Sequence, residues 1–577
     1  MKTISHALQV YSTTAIRNCR FFVPELESYL PAEITQSAHQ AFGSYQCNSA
    51  LKMAKIVKKS PNEIAEIIIQ SFPPESKTMI QAVTSKSGFI NFTISPEFLA
   101  SQVQTMLKDP KLGIETPLHL SKIIVEFSSP NVAKELHVGH LRSTIIGDSI
   151  ARLFEFLGYR VLRLNHVGDW GTQFGMLLAF IKTQNIDYKN LSIQDLLRIY
   201  QAAKQQFDNN SEFKNEAHSN VVALQKEDSN SIEIWKSICE VSRGATQEIY
   251  DLLDIKLTER GESFYRKQLP LIVQDLEKKH LITESQGAKC IFFEEFKNKE
   301  GEPLPLIVQK SDGGYNYMTT DLAAMRQRTQ EEKANRIIVV TDGGQLLHFQ
   351  MLVRASIAAG YLDPKKVEFD HVTFGVVLSP EKKRLKTREG TSEKLIDLIH
   401  KAITSAQEIL LERRPDFSKE ELKNASRVLG IDAIKYADLS GHRQKEYIFS
   451  YEKMLRFEGN TAPYLLYSYV RMQGIKRKVN KSIDMSAPII LDDPSEIALA
   501  LHVRQFDETL LSMSRDLLPN RLAEYLYHLA EKFHAFFRDC RVEGSEKESS
   551  RLLLCESASQ VLRQGLEILG LRTLDKM

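Results

Sequence analysis

The sequence predicts an α/β protein with three parts: a parallel sheet buried on both faces and carrying a helical insertion, a small N-terminal α+β domain, and an all-α C-terminal bundle. Two observations lead to this fold class. From Ile123 onward, apolar strand patterns alternate with turns and amphipathic helix patterns, which is typical of parallel sheets covered by helices. Beyond about residue 440 the strand patterns nearly vanish, whereas helical periodicity continues to the C-terminus.

The composition is that of a globular chain with enough apolar material for several hydrophobic cores. Of the 577 residues, 42% are hydrophobic and 26% are charged, and a chain of this length is expected to form about three or four domains. Lys and Arg number 75 against 73 for Asp and Glu, which gives a formal net charge of +2. Because the charge is nearly balanced, any surface for a nucleic acid must be a local basic patch.

The cysteine pattern and the hydropathy argue against several classes of protein. The six cysteines form no CxxC pair and no cluster with histidine at the spacing of zinc ligands, so neither a disulfide scaffold nor a zinc site is expected. The sequence has no uninterrupted run of about 18 apolar residues, and its first residues lack the apolar segment of a signal peptide. We therefore expect a cytoplasmic protein.

The N-terminal domain is expected to mix helices and strands. Helical patterns flank the stretch AFGSYQCNSALKMAKIVKKS at 41–60, and a strand pattern follows at Gly88 to Ile94. This alternation predicts a small α+β domain.

The parallel sheet is predicted to begin with the strand IIVEF at 123–127. An amphipathic helix from Leu141 to Leu157 follows, Gly158 ends it, and the next strand begins at Val161. Later strands of this sheet are predicted at 290–295, 336–341 and 371–378. A polar stretch of helical patterns at about 185–280 is interpreted as an insertion into the sheet domain.

The motif His137-Val138-Gly139-His140 lies between the first strand and the helix that follows it. Open parallel sheets bind ligands at this edge, and a helix N-terminus attracts anions through its dipole and its unpaired N–H groups. Two imidazoles separated by a glycine let side chains and backbone approach a triphosphate. The alternative is that the histidines cap a turn, and the motif alone does not decide between these interpretations.

The sequence around this motif resembles the signature block of arginyl-tRNA synthetases, which are class I enzymes with a "HIGH" motif. The resemblance rests on VEFSSPNVAKELHVGHLRSTIIGDSIARLFEFLGYRVLRLNHVGDWGTQFGM at 125–176. It continues at 296–324, 339–350 and 435–471 and extends to Met577, so it covers essentially the whole chain.

The resemblance implies a Rossmann-type catalytic domain and a reaction in two steps. The carboxylate of L-arginine would attack the α-phosphate of ATP, bound with Mg²⁺, and release diphosphate. The 2′-hydroxyl at the 3′ end of tRNA-Arg would then take the arginyl group from the adenylate. The resemblance also implies a monomer, and no segment is recognised as an editing domain.

The resemblance assigns side chains to the phosphates of ATP. His137 and His140 would stabilise these phosphates in the transition state, and Gly139 would let the nucleotide approach the backbone. A tight turn is the alternative role for this glycine. Lys134, just before the motif, would supply a further cation.

The second class I motif, KMSKS, is degraded in this sequence. It is represented by KTREG at 386–390 and lacks its second lysine. The resemblance gives the function of the lost lysine to Lys134, and it leaves Lys386 and Arg388 as candidate ATP contacts.

Recognition of arginine requires carboxylates, because a guanidinium is planar, permanently charged and best held by paired acceptors. The resemblance places Glu126, Tyr317 and Asp321 around this group. Asp321 follows Tyr317 by four residues, which is one turn if the segment is helical. The alternative for Asp321 is a helix N-cap after Thr319 and Thr320.

Other side chains are assigned to the rest of the substrate. By resemblance, Ser129 and Asn131 bind the α-amino end of arginine, His140 also contacts it, and Gln345 closes the site. Trp170 comes directly after the second strand and is interpreted either as core packing or as a lining of the active site.

The resemblance places tRNA contacts near both ends of the chain. The candidates at the tRNA elbow are Tyr45, Gln46 and Asn48, and those near the anticodon are Tyr464, Tyr467 and Met577. Basic runs at 52–59 and 476–481 are candidates for phosphate contacts, and solvated helix faces are the more common meaning of such runs.

The expected domain bounds follow from these assignments. They are 1–115 for tRNA elbow contact, 116–379 for catalysis with the insertion at about 185–280, 380–440 for the KMSKS-like loop and tRNA stem contact, and 441–577 for anticodon binding.

Two rival functions remain: another nucleotidyl-transferring enzyme with a HIGH-like motif, and a non-catalytic RNA-binding relative. Chain length and the pair Glu126 and Asp321 argue against the first, and the intact motif with Lys134 argues against the second.

Overall fold

The computed structural model describes residues 2–37, 42–117, 121–379, 381–383, 394–479 and 483–577. The chain divides into two compact units. The terminal unit consists of Met1–Thr116, Phe457–Glu567 and Arg572–Met577, and the central unit consists of Pro117–Arg456 and Ile568–Leu571. Within the described ranges, no helix is both long enough and apolar enough to cross a membrane.

The first part of the terminal unit is a small antiparallel sheet with helices. Its strands are β1 (Ile34–Gln36), β2 (Tyr45–Cys47), β3 (Ile80–Lys86) and β4 (Phe89–Ile94), in the order β1-β2-β4-β3. Its helices are α1 (Ile4–Arg17), α2 (Ser49–Val57), α3 (Pro61–Gln70) and α4 (Pro96–Lys108). A capping box begins α3, because the side chains of Ser60 and Glu63 each accept a hydrogen bond from the other residue's backbone N–H.

The central unit is built on a parallel sheet. Its strands are β5 (Lys122–Glu126), β6 (Arg160–Asn165), β7 (Thr258–Glu259), β8 (Thr283–Ser285), β9 (Ala288–Ile291), β10 (Leu306–Gln309), β11 (Arg336–Asp342), β12 (Glu368–Phe374), β13 (Val377–Leu378) and β14 (Tyr447–Ile448). The parallel sheet has the order β12-β11-β5-β6-β7. The chain moves from β5 towards β7 and later returns to β11 on the other side of β5, so the connections reverse direction between β5 and β11.

Helices connect these strands and supply the insertion. They are α5 (Val138–Phe156), α6 (Thr172–Thr183), α7 (Ile193–Asn209), α8 (Ser211–Gln225), α9 (Ser229–Leu253), α10 (Leu269–Lys278), α11 (Tyr317–Arg326), α12 (Leu346–Ala358), α13 (Leu395–Arg413), α14 (Lys419–Leu439) and α15 (Tyr451–Met454). Alternate residues of the strands, such as Ile337 and Val339 on β11, share one buried core with α10, α11 and α12. The helical insertion between β6 and β7 follows from the amphipathic patterns of α7 and α9.

The prediction that residues 290–295 form a strand of the parallel sheet is wrong. Residues of this run form the end of β9, which pairs antiparallel with β8 and β10 in a separate small sheet. Ile291 of β9 and Leu306 of β10 are buried in the same core as the main sheet. A short apolar run is buried in either sheet, so its pattern does not reveal which partner it pairs with.

Two predicted boundaries in the sheet domain also need correction. The helix predicted to begin at Leu141 begins at Val138, with His137 as its N-cap. The predicted strand 371–378 is divided into β12 and β13 at Gly375, where a Cβ atom would lie 2.8 Å from the carbonyl oxygen of Gln444. After this break, β13 pairs with β14 rather than with the main sheet.

The C-terminal part of the terminal unit is helical, as the periodicity predicts. Its helices are α16 (Ala462–Val479), α17 (Pro494–Arg504), α18 (Phe506–Asp516), α19 (Asn520–Asp539) and α20 (Glu548–Ile568). In α19 the buried residues recur at helical spacing, with Leu522, Leu526, Leu529 and Phe533 on one face. The predicted fold class is confirmed: a parallel α/β sheet with a helical insertion follows a small mixed domain in the sequence and precedes a helical bundle.

Candidate active site at the carboxyl edge of the parallel sheet

The predicted site residues of the central unit converge where β5, β6 and β11 end. The chain leaves β5 at Glu126 and enters α5 at Val138, beside the point where the strand connections reverse direction. Ligands of open α/β sheets bind in this crevice, next to the N-terminus of the first helix. The fold therefore places the HVGH motif in the crevice where ligands of open α/β sheets bind.

The two histidines of the motif form side-chain-to-backbone hydrogen bonds at the start of α5. Nδ1 of His137 accepts the backbone N–H of Gly139 at 3.1 Å, and Nδ1 of His140 accepts the backbone N–H of His137 at 3.1 Å. Since both Nδ1 atoms accept, the remaining proton of each neutral ring belongs on Nε2. The capping interpretation is therefore correct for Nδ1, and it leaves an Nε2–H donor on each ring.

Both imidazoles are kept neutral by their surroundings. Burial, reinforced by the nearby charge of Lys134, lowers the pKa of His137. Burial, together with His137 and Lys134, lowers the pKa of His140 to about 3. The positive charge beside the motif is thus carried by the exposed Lys134. The candidate residues Lys386 and Arg388 lie outside the described residues.

Glu126 ends β5 and is paired inside the protein. Its carboxylate is 6% exposed and forms an ion pair with Arg328 at 2.5 Å. Burial lowers the pKa of Arg328, but the charges of Glu126, Tyr265 and Asp321, together with the hydrogen bond to Glu126, outweigh burial and raise the pKa. Arg328 lies in the π-helical turn Gln327–Glu331 that continues α11. Glu126 therefore connects the end of β5 to the helix that carries Asp321.

Asp321 lies one turn into α11 and is not a helix cap. The N-cap of α11 is Asn316, whose side-chain oxygen accepts the backbone N–H of Met318 at 3.1 Å. The alternative interpretation of Asp321 as an N-cap is therefore wrong. Its Oδ2 lies 2.7 Å from Nε2 of His348, and its Oδ1 lies 3.5 Å from Nε2 of His166.

Tyr317 and Gln345 are exposed residues at the start of α11 and just before α12. Tyr317 is 61% exposed, and its ring centroid is 5.0 Å from that of His348. Gln345 ends the short 3₁₀ helix Gly343–Gln345 after β11 and is exposed. Both side chains are therefore accessible from solvent at the edge of the crevice.

Glu262 is a further candidate site residue, which the sequence did not indicate. Burial, followed by the charges of Asp321 and Asp169, raises the pKa of Glu262 to about 8. Its backbone N–H donates to the carbonyl oxygen of Val167 at 3.0 Å, which fixes it beside the end of β6. The residue follows a long polar insertion and belongs to no recognised motif, so the sequence offers no signal for it.

The segment after β6 holds Glu262 in place. Asp169 accepts two hydrogen bonds from Ser263, from the backbone N–H at 2.8 Å and from the hydroxyl at 2.6 Å. Trp170 packs edge to face on Trp235 of α9, with ring centroids 5.7 Å apart. The side chain of Trp170 is thus core packing.

Ser129 and Asn131 lie in the turn that leaves β5. The hydroxyl of Ser129 accepts the backbone N–H of His166 at 3.2 Å. Asn131 is exposed and packs on Gly168, where a Cβ atom would lie 2.2 Å from its Oδ1. Only glycine at 168 allows this close approach, so the ends of β5 and β6 are fitted to each other.

The candidate tRNA contacts of the terminal unit differ in accessibility. Tyr45 is fully buried, and its hydroxyl donates to Glu508 at 3.0 Å, so its ring is not accessible to a base in this structure. Gln46 and Asn48 are half-buried, whereas Tyr467 is 43% exposed. The half-buried ring of Tyr464 lies 5.6 Å from the rings of both Tyr527 and His534, and Met577 is half-buried.

The two basic runs already contain ion pairs. Lys52 pairs with Glu33, and Lys476 pairs with Glu556 at 2.6 Å. These two lysines support the structure of the terminal unit.

Comparison with known proteins covers all parts of the chain. Residues 3–94 match the family described as "Arginyl tRNA synthetase N terminal domain", residues 102–451 match "tRNA synthetases class I (R), catalytic domain", and residues 465–577 match "DALR anticodon binding domain". An arginine–tRNA ligase of Protochlamydia amoebophila is 53% identical over 563 residues, which are 96% of each chain. The chain belongs to the arginyl-tRNA synthetase family.

Other arginyl-tRNA synthetases resemble the chain over its full length. The arginine–tRNA ligase of Chlamydia pneumoniae is 50% identical over 578 residues, 100% of both chains. The crystal structure of arginyl-tRNA synthetase from Plasmodium falciparum superposes with a TM-score of 0.87 at 33% identity and covers 100% of both chains. The enzyme from Thermus thermophilus, at 24% identity and a TM-score of 0.80, shares the fold over the same extent. The predicted family is therefore confirmed.

Proposed function

We propose that the crevice at the carboxyl edge of the parallel sheet activates L-arginine with ATP. Membership of the arginyl-tRNA synthetase family makes the chain an arginine–tRNA ligase, with L-arginine, ATP and tRNA-Arg as its substrates. The observation that carries the proposal is the position of the carboxyl group of Glu262 close to Asp321 and Asp169: burial, followed by the charges of these two residues, raises the pKa of Glu262 to about 8. A cation bound at this position stabilises the ionised form of Glu262.

The guanidinium group of arginine is held by these carboxylates. Glu262 and Asp321 supply acceptors that match its planar fork, and Tyr317 covers it from the solvent side. Glu126 supports the site indirectly, because its ion pair with Arg328 fixes the turn at the end of α11, the helix that carries Asp321. Citrulline has no charge and lysine has no planar guanidinium, so both leave at least one of these partly buried carboxylates without a full partner.

The other end of arginine faces the turn after β5. Ser129 and Asn131 bind the α-amino group, His140 contacts the same end of the substrate, and Gln345 closes the site from β11. This orientation brings the carboxylate of arginine towards the start of α5, where the phosphates of ATP bind.

The phosphates of ATP are held by donors that are already in place. Nε2–H groups of His137 and His140, the ammonium of Lys134 and the N-terminus of α5 face this position, and Gly139 keeps the backbone accessible. A carboxylate oxygen of arginine forms a bond to the α-phosphorus, the bond to the bridging oxygen breaks, and diphosphate leaves. No side-chain nucleophile is required. Lys386 and Arg388 complete the phosphate site in this proposal.

Mg²⁺ enters the site with ATP. Among the described residues, no cluster of three or more His, Cys, Asp or Glu side chains is arranged to hold a metal ion. The donors at the phosphate position are imidazole N–H and ammonium groups, which suit phosphate oxygens and not a cation. The ion is therefore held by the triphosphate and supplies charge neutralisation there.

The domains with the bounds predicted above divide the recognition of tRNA between them. The 2′-hydroxyl at the 3′ end of tRNA-Arg attacks the carbonyl carbon of the adenylate and AMP leaves. Residues 1–115 bind the tRNA elbow through Gln46 and Asn48, and the buried Tyr45 supports the strand that carries Gln46. Residues 441–577 bind the anticodon through Tyr464, Tyr467 and Met577. The region 380–440 meets the tRNA stem. We further propose a monomer that acts in the cytoplasm.

The test of this function is ATP–diphosphate exchange with each amino acid in turn, with and without tRNA. We expect exchange with arginine alone and a strong requirement for tRNA, which is the habit of the family. Exchange with lysine or another amino acid would contradict the proposed specificity. Absence of exchange under all conditions would contradict the proposed activity.

A further inference from the structure

A row of buried hydroxyl groups joins the insertion helix α9 to the first turn of α5. Tyr250 lies in the last turn of α9, and its hydroxyl oxygen is 2.7 Å from Oγ of Ser128. Oγ of Ser128 is 3.0 Å from Oγ1 of Thr144 on α5, and that oxygen is 2.7 Å from the carbonyl oxygen of His140. All three hydroxyl-bearing residues are buried. The row therefore ends at the HVGH motif.

The hydroxyl group of Thr144 is the donor at this end of the row. It donates to the carbonyl oxygen of His140 or to Oγ of Ser128, which are both within hydrogen-bond distance. At the other end, Asn165 donates to the phenol oxygen of Tyr250, so Oγ of Ser128 is the acceptor for the phenol proton among the contacts of the described residues. Without that acceptor the buried proton would be unpaired, which is costly.

Asn165 at the end of β6 fixes the other side of Tyr250. Its Oδ1 accepts the backbone N–H of Ser129 at 3.0 Å, so its Nδ2 is directed to the hydroxyl oxygen of Tyr250, 3.2 Å away. Burial raises the pKa of Tyr250 to about 12, so the phenol keeps its proton at neutral pH. Asn165 thus links the end of β6 both to the turn and to the row of hydroxyl groups.

The turn that these groups surround is strained. Ser128 has φ of 69° and Ser129 has φ of 47°, so two consecutive residues with side chains adopt the left-handed conformation. Such residues persist where their surroundings fix them, and they are concentrated at functional sites. Here Ser143 of α5 accepts the backbone N–H of Ser128 at 3.0 Å, Asn165 accepts that of Ser129, and Tyr250 binds the side chain of Ser128.

We propose that Tyr250 is a positioning residue of the amino-acid site: through Ser128 it holds the left-handed turn that presents Ser129 and Asn131 to the α-amino group of arginine. Tyr250 itself does not touch the substrate. The inference rests on the proposed function, because it takes from there the assignment of this turn to the α-amino end. It predicts that loss of the phenol hydroxyl harms recognition of that end and spares the guanidinium and ATP sites.

The test compares two ligands that differ only at the α-amino group. Arginine and 5-guanidinopentanoate share the guanidinium, the carbon chain and the carboxylate, and the second lacks the amino group. Tyr250→Phe and Ser128→Ala both remove the hydrogen bond between Tyr250 and Ser128; the first also removes the contact with Asn165, and the second also removes the contact with Thr144. We expect each variant to raise KM for arginine about tenfold in tRNA-supported exchange, with the inhibition constant of 5-guanidinopentanoate and KM for ATP unchanged within about twofold.

The control variant is Thr246→Val on the same helix. Thr246 lines the same cavity of about 300 Å³ as Tyr250, but its hydroxyl donates to the carbonyl oxygen of Ser242 in its own helix. This nearly isosteric change should leave all three constants unchanged. The double variant Tyr250→Phe with Ser128→Ala should be no worse than the more affected single variant, because both remove one shared row. Melting temperatures verify folding, and Ser128→Ala carries the test if Tyr250→Phe does not fold.

Two results would overturn the inference. An equal weakening of arginine, 5-guanidinopentanoate and ATP would show that Tyr250 has only a general structural role. Unchanged constants in both variants would show that the row does not affect the site. Failure of the proposed function is distinguished by the wild-type protein, because it would then give no arginine-dependent exchange or would bind both ligands equally well.

Discussion

Asp321 combines partial burial with a position beside a second carboxyl group, that of Glu262. We expect Asp321→Asn to raise KM for arginine at least about 100-fold, because loss of one member of a desolvated charge pair costs about 3 kcal/mol or more. KM for ATP should change less than about threefold. Steady-state exchange kinetics measure both constants, and Asp363→Asn, at an exposed carboxylate of the same unit, is the matched control. Equal effects of Asp321→Asn on the two substrates would contradict a role in arginine binding.

Glu262 gives the affinity for arginine a defined dependence on pH. With its pKa raised to about 8, the carboxyl group is protonated below that pH in the free protein. A bound guanidinium favours the carboxylate, so binding below pH 8 releases a proton and affinity increases as pH rises. We expect KM for arginine to fall by up to about tenfold per unit between about pH 6.5 and pH 8 and to level off above.

The control for this pH effect is Glu262→Gln, which cannot ionise. Its KM for arginine should be high and nearly independent of pH over the same range. A wild-type KM that stays flat, or a variant that retains the slope, would contradict the role of Glu262 in the pH dependence.

The residues of the site were predictable to different degrees. The spacing of Tyr317 and Asp321 predicts one helical turn, and the structure has it. The cap interpretation failed because Asn316, five residues earlier, provides the N-cap, and a list of cap-forming residues does not say which one is used. Glu262 could not be found from sequence, because its property depends on burial and on two carboxylates from other segments.

At the level of secondary structure, α5 depends on close approach to the end of β5. A Cβ atom on Gly147 would lie 2.2 Å from Cβ of the fully buried Phe127. Gly147→Ala should therefore destabilise the protein by about 1–3 kcal/mol through overpacking. It should also lower kcat, because Phe127 directly precedes the Ser128–Ser129 turn. Chemical denaturation and exchange kinetics measure the two effects.

The matched control on another helix of the same unit is Gly244→Ala in α9. No atom lies within 4 Å of the position that its Cβ would occupy. This variant should gain about 0.5–1 kcal/mol from the helix propensity of alanine. A loss of stability at Gly244 as large as that at Gly147 would mean that crowding at Phe127 is not the cause.

Helices and strands were predictable where the apolar periodicity is compatible with only one type of secondary structure. The buried strands β5 and β11 and the helix that follows β5 agree with their apolar periodicity. The run at 290–295 was misassigned because pairing in β8-β9-β10 is decided by residues that approach from elsewhere in the chain. Strand partners depend on such long-range contacts, which local periodicity does not contain.

At the scale of the whole molecule, the chain has two compact units, the terminal unit and the central unit. We expect two thermal transitions, and arginine with ATP should stabilise only the central unit. At about 100 times the dissociation constant, one ligand adds about 2.7 kcal/mol, which corresponds to a shift of roughly 5 °C or more. Differential scanning calorimetry with and without ligands measures both transitions. Equal shifts of both, or a shift of the other transition alone, would contradict the location of the site.

The most direct test of the central claim is a crystal structure with a non-hydrolysable analogue of arginyl adenylate. We expect the guanidinium to lie within about 3 Å of carboxylate oxygens of both Glu262 and Asp321. We expect the phosphate analogue to contact Nε2 of His137 and His140, and the α-amino group to bind at Ser129 and Asn131. A guanidinium bound away from this carboxylate pair, or a phosphate analogue away from the start of α5, would contradict it.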